Sequence, residues 1–532
     1  MLMIPLHLFK TSIQLKNYWK LWQNFRSALG LKFMQKKTEA MWLGASKGVK
    51  LKPLNLKWKE CVKILGISFS YDTTEAFNRN YNEKLQNLEK TLNLWKMRDL
   101  TLMGRVLIAK SLGMSKLVYT ASVADINDTI VKEVNRLIYD FIWKGKRPRI
   151  KKSTLIGDLS EGGLRAPDFE TVVQAQRAMW IKRYLDSNEA LWKATLDYYL
   201  KDFGKTFLLH CNFDTDILSN KVPAFYRDGL KNWLKCMKIL KYRQTLGTQI
   251  VWNNNLIKIQ DKSVYFSDFR QAGLWTVADL YAGTHLINFE VWNKRGISAE
   301  RYLNWRGLIA AIPKDMKQEV VQNSGKNEKV ELIINGKKNF KDVKSCDFYQ
   351  ILINDKFIKA SAQRHYREQI STENWKDIYS LPRKVLTDTR TINFQYKCLH
   401  RLIPTNDFLF LIGKRRDKKC SFCRHTDDSF EHIFFYCPII QNFWQTILSN
   451  VLRPLGITSI NEEDIFFGFN FSKPPKLANQ IVIIAKDHIV SEKYNERTPN
   501  FESYRVKFLD FVFLQEKAGT LDKDWNIIEN MF

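Results

Sequence analysis

The sequence predicts a mainly α-helical protein with a β-hairpin near its start and a small metal-stapled module near its end. Three observations carry that prediction. From Tyr81 onward, apolar residues recur at helical spacing: Leu85, Leu88, Leu92 and Trp95, then Leu102 to Leu112, then Val131 to Ile142. Strand-like alternation is clearest over Trp58 to Ser70 (WKECVKILGISFS), where Gly66 breaks the run as a hairpin turn would. Near the end, Cys420, Cys423, His432 and Cys437 follow the pattern C-x2-C-x8-H-x4-C.

Composition bounds the partners more than the fold. With 532 residues, 45% of them hydrophobic, the chain can bury large cores and should form two to four domains. It carries 84 Lys+Arg against 55 Asp+Glu, a net charge of +29, and its natural counter-charge is a phosphate backbone or an anionic surface. No apolar run reaches the roughly 18 residues of a membrane span, so no membrane partner is expected. The opening MLMIPLHLF is apolar but lacks the basic start and small-residue cleavage site of a signal peptide. Of eight cysteines, Cys61, Cys211, Cys236, Cys346 and Cys398 are scattered without ligand spacing. That usage suits a reducing compartment, cytoplasmic or nuclear.

Taken in order, the hairpin is followed by a helical bundle whose Leu/Trp stripe reads as core. The stretch FIWKGKRPRIKK then places Lys144, Lys146, Arg147, Arg149, Lys151 and Lys152 within nine residues. Gly145 and Pro148 keep it from being a helix, so it should be a basic loop. A phosphate contact and a solvated loop are both consistent with it. Gly162-Gly163-Leu164 punctuates before a further helix containing Trp180. Residues 190–380 read as helix-rich, with Asn335-Gly336 after VELII marking a second hairpin. They hold no Gly-rich phosphate loop, nucleophile elbow or His/Asp constellation, and no catalytic residue is assigned. Residues 440–532 read as more helices, including Gln480 to His488.

The Cys/His cluster carries the chemistry. Zinc takes four soft or borderline donors at tetrahedral corners, and a C-x2-C knuckle lets one tight turn aim two thiolates at one point. Ser429 to Tyr436 can form a short helix, started by Asp428-x-x-Glu431 and stopped at Pro438, that carries His432 toward the knuckle. The competing reading is ordinary buried cysteines. His425 competes with His432 as the fourth ligand, although it stands only two residues past Cys423. Just upstream, Lys414, Arg415, Arg416, Lys418 and Lys419 form a basic run broken by Asp417. A metal-stapled turn beside such cations suits single-stranded or structured RNA; a solvated surface loop is the plain alternative.

FQYKCLHRLIPTN (Phe394 to Asn406), then CSFC, then FEHIFFYCP resemble the carboxy-terminal region of the replicase of LINE-type non-LTR retrotransposons. Earlier stretches follow in family order. LGLKFMQKKTEAMWLG (Leu29 to Gly44) resembles the end of a reverse-transcriptase palm, and Trp58 to Ser70 its primer-grip hairpin. GRVLIAK (Gly104 to Lys110) resembles a thumb helix, and Trp275 to Leu280 a connector. The resemblance implies a layout of 1–28 leader, 29–72 palm end, 73–190 helical thumb with the basic loop, 191–385 helical connector, and 386–532 zinc-knuckle domain. It implies structural zinc, and RNA, RNA/DNA duplex and other retrotransposon-encoded domains as partners. The complete family enzyme, an RNA-directed DNA polymerase, uses Mg2+ held by a Tyr-Ala-Asp-Asp box. That box is absent from this sequence, so the chain is expected to be inactive alone, and Lys37, which matches a lysine proposed to protonate pyrophosphate, to be a relic or phosphate contact. Met1 to Leu6 could be an out-of-frame reading of that box. The alternatives are one end of an active polymerase and a pseudogene product.

Overall fold

The computed structural model describes residues 57–186, 190–201, 212–218, 222–239, 249–322, 342–366, 374–469 and 475–532, with short pieces at 14, 16–17, 20–21, 39–41, 333–334 and 338–339. Met1 to Leu6, Lys37, Cys211 and most of Leu29 to Gly44 lie outside the described residues. The architecture is mainly α-helical, with paired strands only in two-stranded pieces among the described residues. The chain divides into two compact units, residues 1–90 with 115–134, and residues 91–114 with 135–532.

The expected hairpin is strand β1 (Cys61–Ile64) against strand β2 (Ile67–Ser70), antiparallel, with Ile64 opposite Ile67. Leu65 and Gly66 turn the chain with φ of 49° and 83°. Two left-handed positions make the tight turn whose twist matches paired strands. Helices α1 (Thr73–Lys96), α2 (Leu102–Ile108), α3 (Ser115–Val123) and α4 (Asp128–Ile142) follow. Within the first unit, Asn80 of α1 clamps the hairpin, accepting from the Ser68 amide at 2.8 Å and donating to its carbonyl at 2.9 Å. The Tyr119 hydroxyl of α3 donates to the Leu65 carbonyl at 2.9 Å. Tyr81, Leu88 and Leu117 are fully buried, as their helical spacing predicts.

The second unit has two apolar cores. One is built on α5 (Phe169–Leu185), which packs along α6 (Ala224–Ile239) and α7 (Ser345–Lys356), with Trp233 and Trp292 wholly buried. Ile333–Ile334 pair antiparallel with Lys338–Asn339, the strands expected around Asn335-Gly336, whose turn lies outside the described residues.

The other core gathers α8 (Asn374–Val385), α9 (Thr389–Leu399), α10 (Asn406–Leu411), α11 (Pro438–Ile447), α12 (Glu462–Phe467), α13 (Lys476–Tyr494) and α14 (Phe501–Lys517). Gly162 meets it at close range, and Gly163 meets the Gly157 backbone. A Cβ on Gly162 would stand 2.7 Å from the Tyr379 ring, and one on Gly163 2.0 Å from the Gly157 carbonyl oxygen. The Gly162 carbonyl accepts from the Tyr396 hydroxyl at 3.1 Å. Gly162 therefore lets backbone dock on α8 and α9, and Gly163 lets the same loop close on its own backbone at Gly157, where a side chain would hold each off.

Helix α13 is buried nearly all round, as a helix at the centre of a core must be. Three of its buried polar side chains are spent on backbone groups of other segments. Asn479 bonds both the amide and the carbonyl of Phe469, and Gln480 donates to Val385 at 2.7 Å. Lys486 donates to the Ile465 carbonyl. Among the described residues, no helix is long and apolar enough to cross a membrane.

Candidate metal centre

Cys420, Cys423, His432 and Cys437 come together with their ligand atoms all within 4.8 Å of one another. The two pairs are tighter. The Cys420 and Cys437 sulfurs stand 4.0 Å apart, and Cys423 Sγ stands 3.3 Å from His432 Nε2. Tetrahedral zinc with bonds of about 2.3 Å to sulfur sets such separations at roughly 3.7 Å, so the cluster has the size of a zinc site. Three thiols and one imidazole also match the donor set of closed structural zinc. Bound there, zinc would cross-link the knuckle to the chain 17 residues on. His425 is exposed and outside the cluster.

The local fold explains the convergence. Lys418 and Lys419 run antiparallel to Asp427 and Asp428: the Asp428 amide donates to the Lys418 carbonyl at 2.8 Å, and the Cys420 amide to Thr426 at 2.9 Å. The knuckle is the turn of this small hairpin, with Arg424 left-handed at φ 60°. The Phe422 amide points at Cys420 Sγ, 3.4 Å away. His432 opens a π-helical turn closed by the Cys437 amide on its carbonyl at 2.9 Å. Cys437 then sits just before α11. Its thiol is held below the usual range by the hydrogen bond from Cys420, against burial, with help from the Ile440 and Ile439 amides. Burial works to raise the Cys423 thiol, but the Thr426 amide and hydroxyl, the His425 amide and His432 lower it overall.

One detail differs from the sequence reading. Asp428 does not start the helix. Ser429 does, its hydroxyl accepting from the His432 amide at 3.0 Å. The turn does stop ahead of Pro438, with Cys437 extended at ψ 128°, and Pro438 then begins α11, where its missing N–H is one that the first turn leaves unpaired anyway.

Asp428 is instead wholly buried, accepting from the Asn406 amide at 2.6 Å and pairing with Lys493 at the end of α13. Asn406, also wholly buried, donates to the Lys419 carbonyl at 2.7 Å and to Ser421 at 3.1 Å, and accepts from Arg415 at 2.9 Å. Arg401 pairs with Glu431 beside His432 and bonds Tyr366 at 2.7 Å. These residues hold the metal loop, and sequence reading missed their roles. Their partners lie 9 to 65 residues away along the chain, and only the polar types Asn406 and Asp428 near the cysteines gave a signal.

The basic residues divide into committed and uncommitted groups. Arg149 donates to the Leu402 carbonyl and covers the Phe408 ring at 5.0 Å. Lys152 pairs with buried Asp168 at 2.6 Å. Lys144 lies 3.7 Å from exposed Asp99. Lys146, Arg147 and Lys151 are exposed with no ion pair among the described residues. In the second run, Arg415 serves Asn406, Lys418 reaches Asp407 at 3.6 Å, and Lys419 reaches Asp427 at 3.4 Å. Lys414 and Arg416 are exposed with no carboxylate partner among the described residues.

Residues 359–444 match the protein family described as zinc-binding in reverse transcriptase. A 206-residue stretch is 25% identical to the Transposon TX1 uncharacterized 149 kDa protein of Xenopus laevis, covering 37% of this chain and 16% of that protein. The chain resembles the C-terminal region of a LINE-type retrotransposon reverse transcriptase. Its match spans well under two thirds of that relative. The reverse-transcriptase zinc-binding match takes in all four cysteine and histidine residues together with Arg401, Asn406 and Asp428. Lys493, which anchors Asp428, falls outside it.

Proposed function

We propose that this chain binds nucleic acid, both RNA and RNA/DNA duplex, as a LINE-type non-LTR reverse transcriptase tail without polymerase activity of its own. The observation that carries the reading is the build of the metal loop. The strand entering Cys420 is itself the basic run, so zinc would fix cations as well as thiolates. Lys414 and Arg416 at its head are exposed and uncommitted among the described residues. Fixed cations displace counterions from phosphates at little ordering cost, which gives affinity without sequence preference.

The expected signature is electrostatic. If six to ten phosphates are neutralised, affinity should fall by about three to five decades between roughly 50 and 200 mM salt. The double charge reversal Lys414→Glu/Arg416→Glu should flatten the logarithmic salt slope by about 2 on duplex. Anisotropy titrations measure both, and a salt-independent affinity would sink the reading. A second reading, part of an active RNA-directed DNA polymerase, is favoured by the hairpin and helices whose motifs follow family order upstream of the zinc region. Primer extension on an RNA template with Mg2+ separates the two: extension by this chain alone overturns the first.

A further inference from the structure

Beside the basic loop lies an open cleft of about 510 Å³, within the range of roughly 300–1,000 Å³ of small-molecule sites. Its walls come from the end of α4 and the loop that follows. Tyr139, Trp143, Pro148 and Ile150 make an apolar floor, and Arg136 and Lys151 stand among the cations at its edge. Among the described residues, the Tyr139 hydroxyl and the Trp143 indole nitrogen have no hydrogen-bond partner. Lys152 already lies over the Tyr139 ring, 5.1 Å from its centre, whereas Trp143 makes no ring contact among the described residues. Across the same loop segment, Arg149 and Lys151 share a water-sized cavity of about 20 Å³ with Lys359 and Arg364, both exposed. Among the described residues, no carboxylate lines either cavity.

An aromatic, apolar floor ringed by cations is complementary to a nucleobase with phosphates on either side. A duplex keeps its bases paired and stacked, so only an unpaired nucleotide can place a base edge-on or flat in such a cleft. We infer that this cleft receives one unpaired nucleotide of a single-stranded nucleic acid, its base on Trp143 and its flanking phosphates along Lys151, Lys359 and Arg364. This rests on the nucleic-acid reading above and adds the class of strand and the residue that distinguishes it. Exposed Lys146 and Arg147 extend the cationic edge for the next phosphates.

The test uses the full zinc-loaded chain. Its probes are a U-tract RNA of about twelve nucleotides carrying 5-iodouridine, the same sequence as a duplex, and uridine monophosphate. Photocrosslinks should map to the peptide holding Trp143. Trp143→Leu should weaken the single strand roughly five- to hundredfold, the span of one lost stacking contact, and leave duplex affinity within about twofold. Trp143→Phe should restore most of the loss. Lys151→Glu, at an exposed position that cannot upset a core, should lower the single-strand salt slope by somewhat more than the single charge it removes, about 0.7 per phosphate contact. Equal losses on strand and duplex, or an unaltered strand affinity with crosslinks elsewhere, overturn the inference and leave nucleic-acid binding standing. Displacement of the strand by low-millimolar uridine monophosphate makes the cleft a free-nucleotide site and overturns it too. If neither strand nor duplex binds at roughly 50 mM salt, the parent reading falls instead.

Discussion

Of the four metal-site residues, Cys423 alone is only half-buried, so replacing it removes a donor while disturbing packing least. Cys423→Ser and His432→Ala should each abolish stoichiometric zinc, measured as metal per purified chain. His425→Ala should keep it. Cys398→Ser is the sharper control, because Cys398 is buried in the same core with its thiol pushed up to about 12 by burial, yet stands outside the cluster. Release of zinc by His425→Ala but not by His432→Ala would reverse the assignment. Because a metal site rarely preexists in the unfolded chain, binding energy is local folding energy. Amide exchange should therefore quicken over 414–438 in Cys423→Ser and stay unchanged in α1. The spacing of the cysteines was enough to name the donors at this scale. It also favoured His432 over His425, which stands only two residues past Cys423, and the π-helical turn that opens at His432 brings its ring into the cluster.

At the scale of elements, the metal hairpin hangs from the end of α13 by the buried pair of Asp428 and Lys493. Removing one member of a buried pair strands the other without a counter-charge, at a cost of about 3–5 kcal/mol, whereas replacing both is often neutral or better. Lys493→Met should thus lower the urea midpoint sharply, and Lys493→Met/Asp428→Asn should recover much of the loss. Additive effects of the two substitutions would show that the pair is not coupled. The hairpin at Leu65-Gly66 and the helical stripes were legible because period and turn chemistry are local properties. The role of Asp428 was not. An Asp ahead of an apolar run reads as a helix start, and only the approach of Lys493, 65 residues on, redirects it.

For the molecule as a whole, pH should act through two buried histidines. Burial lowers His400 to about 4, against a hydrogen bond with Gly162 that works upward, and burial likewise lowers His488 to about 4. Both are neutral in the folded chain at pH 7. Between about pH 6.5 and 4 the unfolded chain binds these protons and the folded chain does not, so stability falls as pH falls through that window. His400→Gln should flatten the slope of unfolding free energy against pH there relative to the parent protein. The difference between the two curves removes whatever acid does to the metal site. An unchanged slope would mean that His400 is protonated in the fold.

The amino-acid sequence by itself determined the helical class, the hairpin, the donor set of the metal site and the excess of positive charge. Each of these follows from residue type and short spacing, which hold whatever the rest of the chain does. Tertiary structure decided which cations remain available. Arg149 and Lys152 look equivalent to Lys146 and Lys151 in the loop, yet the first is bound to a carbonyl 253 residues away and the second to buried Asp168. It also made the cleft, because Trp143 at the end of a helix becomes a wall only when the loop after it folds back. Ion pairs and cavities depend on what arrives from distant parts of the chain, and no local pattern records that arrival.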